Sequence, residues 1–408
     1  MRTGVVVVGA GPAGASAAIR LAREGFEVAL VDRARFPRAK PCGEFLSPGA
    51  TPILEELGVR DAVESAGALR LERVRIDAHG ASVELDFPDD LGAPAWGYSL
   101  SRFALDAILV DAARGAGARV FEGTRVEEVR LGPSGAAIRA RGPDGEPHSF
   151  EAALVIGGGG RACPVARAIG TRRRLSRPRF DLLAHWSDEA ADRSRSPAER
   201  TCALVVRGDS YVALAPVEGG RWNVNCVVPR AAFRATRDPA ELYRRSVAAV
   251  TPPGTMPEEE VSASDVTSFR TRSATADRAL LVGDAALFLD PFTGQGIWLA
   301  LRSAALAADV AARALASGRC DRAALSGYDA ARRTEFAARL RVSRALQTIL
   351  YRPAAARWLV RALGRNRRLA RTLAAATGDL SPSESVWSTG FGARLLAAGM
   401  PVGSRVTP

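Results

Sequence analysis

The chain has 408 residues, 47% hydrophobic and 25% charged, which excludes a disordered or collagen-like protein and predicts two or three domains with cores of their own. Its formal charge of +12 is spread along the sequence without a nucleic-acid-binding module, so solvated surface charge is expected and no nucleic-acid partner. No run approaches the ~18 apolar residues of a membrane span, and five scattered cysteines with three distant histidines offer no metal site, so a cytoplasmic protein is expected.

In chain order, VVVV (5–8) predicts a buried strand, GAGPAG a turn, ASAAIRLARE a helix stopped at Gly25, and FEVALVD a returning strand. The glycines and the amphipathic helix argue against an export signal. RFPRAKPCGEFLSPG (35–49) then holds the one lysine among 56 lysines and arginines. LERVRIDAHGASVELDF alternates as a hairpin turning near His79 and Gly80. SRFALDAILVDAARGAGARVFEGTRVEEVR predicts a helix followed by a strand, and AALVIGGGG a buried strand ending near 156. FDLLAHWS, TCALVVRG and YVALAPVEGGRWNVNCVV, the last turning at Gly219 and Gly220, predict an antiparallel sheet. RALLVGDAALFLDPFTGQGIWLALRSAALAADVAARAL returns to strand, Gly-rich turn and long helix, and a helical tail follows.

These elements divide the chain into a nucleotide-binding domain from 1–72, 93–167 and 268–345, a sheet domain from 73–92 and 168–267, and a helical cap from 346–408. Dense basic stretches at 171–179 and 360–373 read as solvated faces. The basic tail suits a cap over the substrate pocket, with peripheral membrane contact as the other use of an amphipathic basic helix.

GAGPAG places Gly9, Gly11 and Gly14 between a strand and a helix, with Pro12 and Ala13 completing the turn. Gly9 permits the turn, Gly11 lets backbone approach a pyrophosphate, and Gly14 admits close packing at a helix N-terminus that attracts phosphate. Asp32 ends the next strand eighteen residues after Gly14, where a carboxylate accepts from ribose hydroxyls, and Arg33 follows it. A dinucleotide is the expected ligand.

GDAALFLDPFTGQGIW, with Gly283, Asp284, Pro291, Gly294, Gly296 and Ile297, resembles the second FAD signature of the p-hydroxybenzoate hydroxylase-like flavoproteins. The resemblance implies FAD as cofactor. The aspartate would hold the ribityl chain and the Pro-x-x-Gly-x-Gly loop would lie along the isoalloxazine at a helix N-terminus, whose dipole suits the charge of reduced flavin. It also implies that Arg102 meets the FAD phosphates and Val126 the adenine. The fold implied is α/β: a Rossmann-like FAD-binding domain of the glutathione reductase type 2 class, an antiparallel substrate sheet and a helical C-terminal tail. One departure stands out: where the superfamily typically has ADGRxSxVAR, this chain has GGGRACPVAR, with Gly159 in place of the aspartate and Cys163 in place of the serine. That acid is associated with holding FAD and the pyridine nucleotide, so a separate flavin reductase or electron-donor protein stands beside NAD(P)H as the electron source.

FPRAKPCGEFLSPGA resembles the K-x-C-G-G-x-L-S-P stretch of the geranylgeranyl reductase family, and more loosely the H-x-G-E-S-L-L-P stretch of flavin-dependent halogenases. The halogenase Trp-x-Trp-x-x-Pro motif is absent, which sets halogenation behind reduction. The resemblance implies that this loop runs to the flavin. Cys42 and Glu44 are then the candidate catalytic residues, for proton donation or orientation, with Gly43 and Lys40 against the cofactor; Lys40 can meet a phosphate or lower the pKa of Cys42. Small buried hydrophobe, helix cap and chance substitution are the plain alternatives for Cys42, Glu44 and Lys40. Trp186, Tyr211 and Trp222 suggest a hydrophobic substrate wall, and His185 reads as structural. The expected activity is flavin hydride transfer to or from a carbon–carbon bond of a prenyl, polyketide or quinone-like molecule. An FAD-dependent monooxygenase is the alternative, and a flavin-free prenyl- or protein-binding module the further one.

Overall fold

The valine run Arg2–Val8 lies at the centre of a parallel sheet whose order is Arg119–Phe121, Val28–Val31, Arg2–Val8, Pro147–Gly157, Ala279–Leu281. Val5 to Val8 are all buried, as expected for a parallel strand covered on both faces. The computed structural model describes residues 1–91, 94–170, 172–175, 178–188, 200–250, 255–257 and 261–399. The helix expected after the first strand runs Pro12–Arg23, and its buried Ala13, Gly14, Ala15, Ala17 and Ala18 let it pack closely beside the long helix Gly296–Ala316. Beyond the helix Arg102–Gly115 the chain makes two strands where one was expected, Arg119–Phe121 and Arg125–Leu131; a turn at Gly123, φ +64°, separates them.

The second sheet assembles Arg73–Ala78 and Ala81–Asp86 with Thr201–Arg207, Ser210–Val217, Arg221–Pro229 and Arg179–Asp188. The turns fall where expected: His79 and Gly80 take φ of +50° and +82°, and Gly219 and Gly220 take +77° and +72°. One pairing, Arg73–Ala78 with Thr201–Arg207, is parallel and joins the early hairpin to the later strands.

Register gives this sheet two distinct faces, because alternate residues point oppositely. On the inner face lie three rows: Asp181, Val227, Tyr211, Val206; then Leu183, Asn225, Ala213, Leu204, Ile76; then His185, Asn223, Ala215, Cys202, Val74. The polar residues gather on two neighbouring strands, as Asp181 and His185 on Arg179–Asp188 and Asn223 and Asn225 on Arg221–Pro229, and the rows end apolar on the hairpin side. The outer face, with Leu182, Ala184, Trp186 and Val224, is covered by the helix Pro239–Val247, where Trp186 donates to the Tyr243 hydroxyl at 2.7 Å. The expectation that Trp186 and Trp222 wall the substrate pocket is therefore corrected: strand parity sends both to the outer face, and only Tyr211 points inward.

The tail is helical, with Pro353–Arg365, Arg367–Thr377 and Thr389–Gly399. Residue 346, where the cap was expected to begin, lies inside the unbroken helix Arg322–Leu350, which contains no proline to end it. Leu359, Val360, Leu363 and Leu373 pack against Ile76, Val83 and Leu85 of the hairpin, so the tail's apolar side is spent on the inner sheet face. Residues 400–408, and 171, 176 and 177 of the first basic stretch, lie outside the described residues. Among the described residues no helix is long and apolar enough to cross a membrane.

A Cβ on Gly14 would stand 1.8 Å from the Gly9 carbonyl oxygen, whereas one on Gly296 would meet nothing within 4 Å. Gly14→Ala should therefore lower the unfolding free energy by about 3 kcal/mol or more in urea melts, and Gly296→Ala should change it by less than about 1 kcal/mol.

Candidate functional site

Two glycine segments, Gly9 to Gly14 and Gly158 to Gly159, meet backbone to backbone at the mouth of the parallel sheet. A Cβ on Gly9 would lie 2.4 Å from the Gly159 Cα, and one on Gly158 would lie 2.9 Å from the Gly14 Cα. At Gly159 itself the nearest atoms to a Cβ belong to Cys163 at 3.4 Å, an ordinary contact, so packing leaves room for a Cβ at this position. The helix Pro12–Arg23 begins at Gly11 with no side-chain cap, leaving its first amides to an outside acceptor. Asp32 accepts from Ala10 N at 2.7 Å and Ala34 N at 2.8 Å, while Thr124 N donates to the Asp32 carbonyl at 2.8 Å and so brings the strand of Val126 alongside. Arg33, next to Asp32, is exposed.

Opposite Gly11 stand two arginines on one buried carboxylate. Arg102 is bidentate to Asp106 through Nε and Nη2, both at 2.7 Å, and Arg38 Nη2 reaches the same acid at 2.8 Å. Burial acts to lower the Arg102 pKa, but Asp106 and Cys42 together raise it above the ordinary value. A Cβ on Gly11 would lie 3.5 Å from Arg102 Nη2 and 3.8 Å from Arg38 Nη2, and Arg38 Nη1 is buried without a partner. Arg38 went unnoticed in the sequence; its only signal there was proximity to Asp32.

From this cradle a cleft of about 1150 Å³, partly open to solvent, runs between the glycine loops and the inner sheet face. Pro12, Ala13, Lys40, Cys42, Gly43, Glu44 and Arg102 line one side, and Asp284, Pro291, Gly294, Gly296 and Ile297 the other. Gly283, φ +55°, sits behind, where a Cβ would meet the Ala13 Cβ at 2.8 Å. Gly294, φ +67°, packs on Phe45 so closely that a Cβ would lie 2.6 Å from its ring. Thus the early loop and the late loop expected to flank the flavin are in direct contact.

Glu44 takes φ +55°, an uncommon backbone for a residue with a side chain, and is buried. Its Oε1 accepts from Arg102 N at 2.8 Å; its Oε2 accepts from Asn223 Nδ2 at 2.8 Å and lies 2.7 Å from His185 Nε2. Asn223 also donates to the Cys42 carbonyl at 2.8 Å. His185 is thereby a partner of Glu44. Cys42 Sγ accepts from Glu44 N at 3.4 Å, and burial pushes the thiol pKa up despite Arg102 nearby. The expected lowering of Cys42 by Lys40 is corrected: Arg102 is the cation facing the thiol, and desolvation prevails over it. Lys40 stands above Gly160, where a Cβ would lie 3.6 Å from Nζ; burial and Arg102 lower its pKa, and Asp284 opposes them.

Two carboxyls on the far wall were not foreseen. Asp181, 5% exposed, has its pKa pushed up to about 7 by burial and by Asp290, with Arg161 opposing. Asp290 accepts from the Tyr211 hydroxyl at 2.7 Å and lies 3.5 Å from Arg179 Nε. The sequence signal was period two: Asp181 and His185 occupy inward positions of FDLLAHWS. Asp379, buried in the tail at φ +59°, accepts from Ser47 Oγ at 2.8 Å, Gln295 Nε2 at 2.6 Å and Arg339 Nε at 3.0 Å. It pins the cap to both loops of the cleft.

Beyond Phe45 the cleft adjoins an apolar chamber of about 1130 Å³, partly open to solvent. Its walls are the apolar ends of the inner rows, Leu346 and Leu350, and Leu359, Val360 and Leu363 of the cap. None of its lining residues is charged, and Gly43, Phe45, Pro291, Thr293 and Gly294 line chamber and cleft alike.

Residues 2–343 match the family model described as an FAD binding domain, and the chain belongs to that family. It is an FAD-dependent enzyme, similar to both reductases and halogenases. A digeranylgeranylglycerophospholipid reductase of Methanothrix thermoacetophila is 31% identical, over 81% of this chain and 82% of its own. A menaquinone reductase of Mycobacterium tuberculosis is 29% identical, over 75% and 76%. A tryptophan 2-halogenase of Chondromyces crocatus is also 29% identical, over 80% of this chain but 64% of its own length. The fold matches a flavoprotein/dehydrogenase of Cytophaga hutchinsonii with a TM-score of 0.85, 21% identity and 98% of both chains covered. The cradle fits the cofactor: uncapped helix amides and the unpartnered Arg38 Nη1 face the place of a pyrophosphate, and Asp32 stands one strand away for the ribose.

Two outcomes follow from the geometry. Glu44→Gln sets an amide nitrogen against a donor on one side, and should lower the unfolding free energy by about 1–3 kcal/mol in urea melts. Asp181 has a folded pKa of about 7 against an ordinary 3.8, so it contributes stability that is fully present below pH 3.8 and lost as pH rises through 7. Asp181→Asn should therefore be more stable than the parent at pH 8 by a few kcal/mol at most, on the order of 1.4 kcal/mol per pKa step, and the gain should shrink toward pH 4; thermal melts of both proteins across this range measure it.

Proposed function

We propose that this FAD-dependent oxidoreductase acts on a hydrophobic small molecule of prenyl, polyketide or quinone type, transferring hydride to or from a carbon–carbon bond. The observation that carries this reading is the uncharged chamber sharing five wall residues with the cleft, which suits an apolar body whose reactive end reaches the redox site. The reductase relatives, named for a quinone and for a prenylated lipid, support it.

Bound FAD would supply two-electron chemistry, held by Gly9, Gly11, Pro12, Ala13, Gly14, Asp32, Arg33, Arg102 and Val126 at its nucleotide half. Lys40, Gly43, Gly283, Asp284, Pro291, Gly294, Gly296 and Ile297 would hold its ring half. The Cys42 thiol stays protonated because burial raises its pKa, so it can give a proton to one carbon as the other gains hydride. Glu44, saturated with hydrogen bonds, orients the Cys42 loop against the inner sheet rather than shuttling protons. The carboxylate missing at Gly159 supports a separate flavin reductase as electron donor. A second reading, oxygen-dependent hydroxylation or halogenation, is favoured by the tryptophan 2-halogenase relative and regains a place that the missing tryptophan motif had cost it.

Anaerobic incubation of the FAD-loaded protein with dithionite-reduced flavin and quinone or prenyl acceptors separates the two. Flavin reoxidation with a product heavier by two hydrogens supports reduction; turnover only with oxygen, adding an oxygen or halogen atom, selects the second reading. Ala213→Trp, which fills the chamber, should lower kcat/KM by at least about tenfold while FAD content is retained.

A further inference from the structure

A three-stranded sheet of Arg172–Arg174, Phe269–Thr271 and Leu287–Phe288 lies beside the flavin cleft. Its register sets Arg173 directly opposite Arg270, a like-charge pair that costs stability. Arg272, two residues on, points to the same side as Arg270, and the helix Arg322–Leu350 brings Arg332 and Arg333 to the same groove. The one carboxylate lining it, Asp329, is already engaged by Ser273 Oγ at 2.6 Å, Thr275 Oγ1 at 2.8 Å and Ala274 N at 2.9 Å. Arg332 Nη1 lies 3.7 Å from that acid, and its Nε is buried without a partner. Among the described residues no carboxylate pairs with Arg173, Arg270, Arg272 or Arg333. Beneath the guanidinium groups the floor is apolar, made by Leu287, Phe336, Ala337 and Leu340.

We propose that this groove binds the diphosphate group of a soluble organic phosphate, whose ring or chain lies on the Phe336 and Leu340 floor. Planar guanidiniums arriving from a sheet and a helix match the oxygens of a diphosphate with paired hydrogen bonds, and the bound charge relieves the Arg173–Arg270 repulsion. Leu287 also lines the flavin cleft, so the bound molecule sits one side chain behind the redox site. The inference is independent of the reaction class proposed above.

Calorimetric titration of the FAD-loaded protein, whose own pyrophosphate site is filled, tests it with inorganic pyrophosphate and ADP at low salt. One-to-one binding that weakens with added salt is expected, tighter for ADP because of its ring. The Arg173→Gln/Arg270→Gln variant should weaken it at least about tenfold with FAD content unchanged, and Arg333→Gln, on an exposed helix position, should weaken it in the same direction. Absence of pyrophosphate binding, binding unaltered in both variants, or binding only to phosphatidate vesicles would overturn the proposal.

Discussion

The hydrogen bonds on Glu44 hold the functional region together. One oxygen meets the backbone at the start of a helix of the nucleotide fold, and the other meets Asn223 and His185 of the second sheet, while the residue's own backbone carries the Cys42 loop. A buried carboxylate is tolerable only when its lone pairs are answered, and here a helix start of the nucleotide fold and two strands of the second sheet answer them. The left-handed backbone at Glu44, which costs on the order of 1–3 kcal/mol, persists because these bonds over-determine it. The position of the Cys42 loop in the cleft depends on where Glu44 is held.

The inner sheet face then decides what each end of the cavity can take. Asp181, His185, Asn223 and Asn225 gather on two neighbouring strands beneath the redox cleft, and the same rows end in Cys202, Leu204, Val74 and Ile76 under the cap. A polar floor suits proton and charge movement, an apolar one suits binding by area, and the sheet places the two side by side. Asp379 extends the arrangement to the third layer, since it ties the cap to Ser47 and Gln295, one from each loop that flanks the cleft. The cap is therefore part of the site and sets the outer wall of the chamber.

Much of the fold was legible because its determinants are local. Valine runs, the GAGPAG turn, alternating strands and paired turn residues each settle a segment by short-range sterics and burial. The cofactor motifs were legible for the same reason, since a glycine that must pass another backbone leaves no substitute, as the 1.8 Å gap at Gly14 shows. Trp186 and Trp222 were misplaced because composition names a strand's residues without saying which face will be covered, and the helix Pro239–Val247 took theirs. Asp181 offered only its inward strand parity and Asp379 offered no motif at all; neighbours from distant segments make each a site residue.

The sequence by itself determined the nucleotide-binding fold, the FAD signature and the stretch around Cys42, because contiguous residues meet those requirements. Tertiary structure alone decided that Glu44 is a locked bridge, that burial raises the pKa of the Cys42 thiol although it faces Arg102, and that the tail helices complete an uncharged chamber. The partners at those positions come from segments far along the chain: Arg102 is 58 residues from Glu44, His185 is 141 from Glu44, and Asp379 is 332 from Ser47.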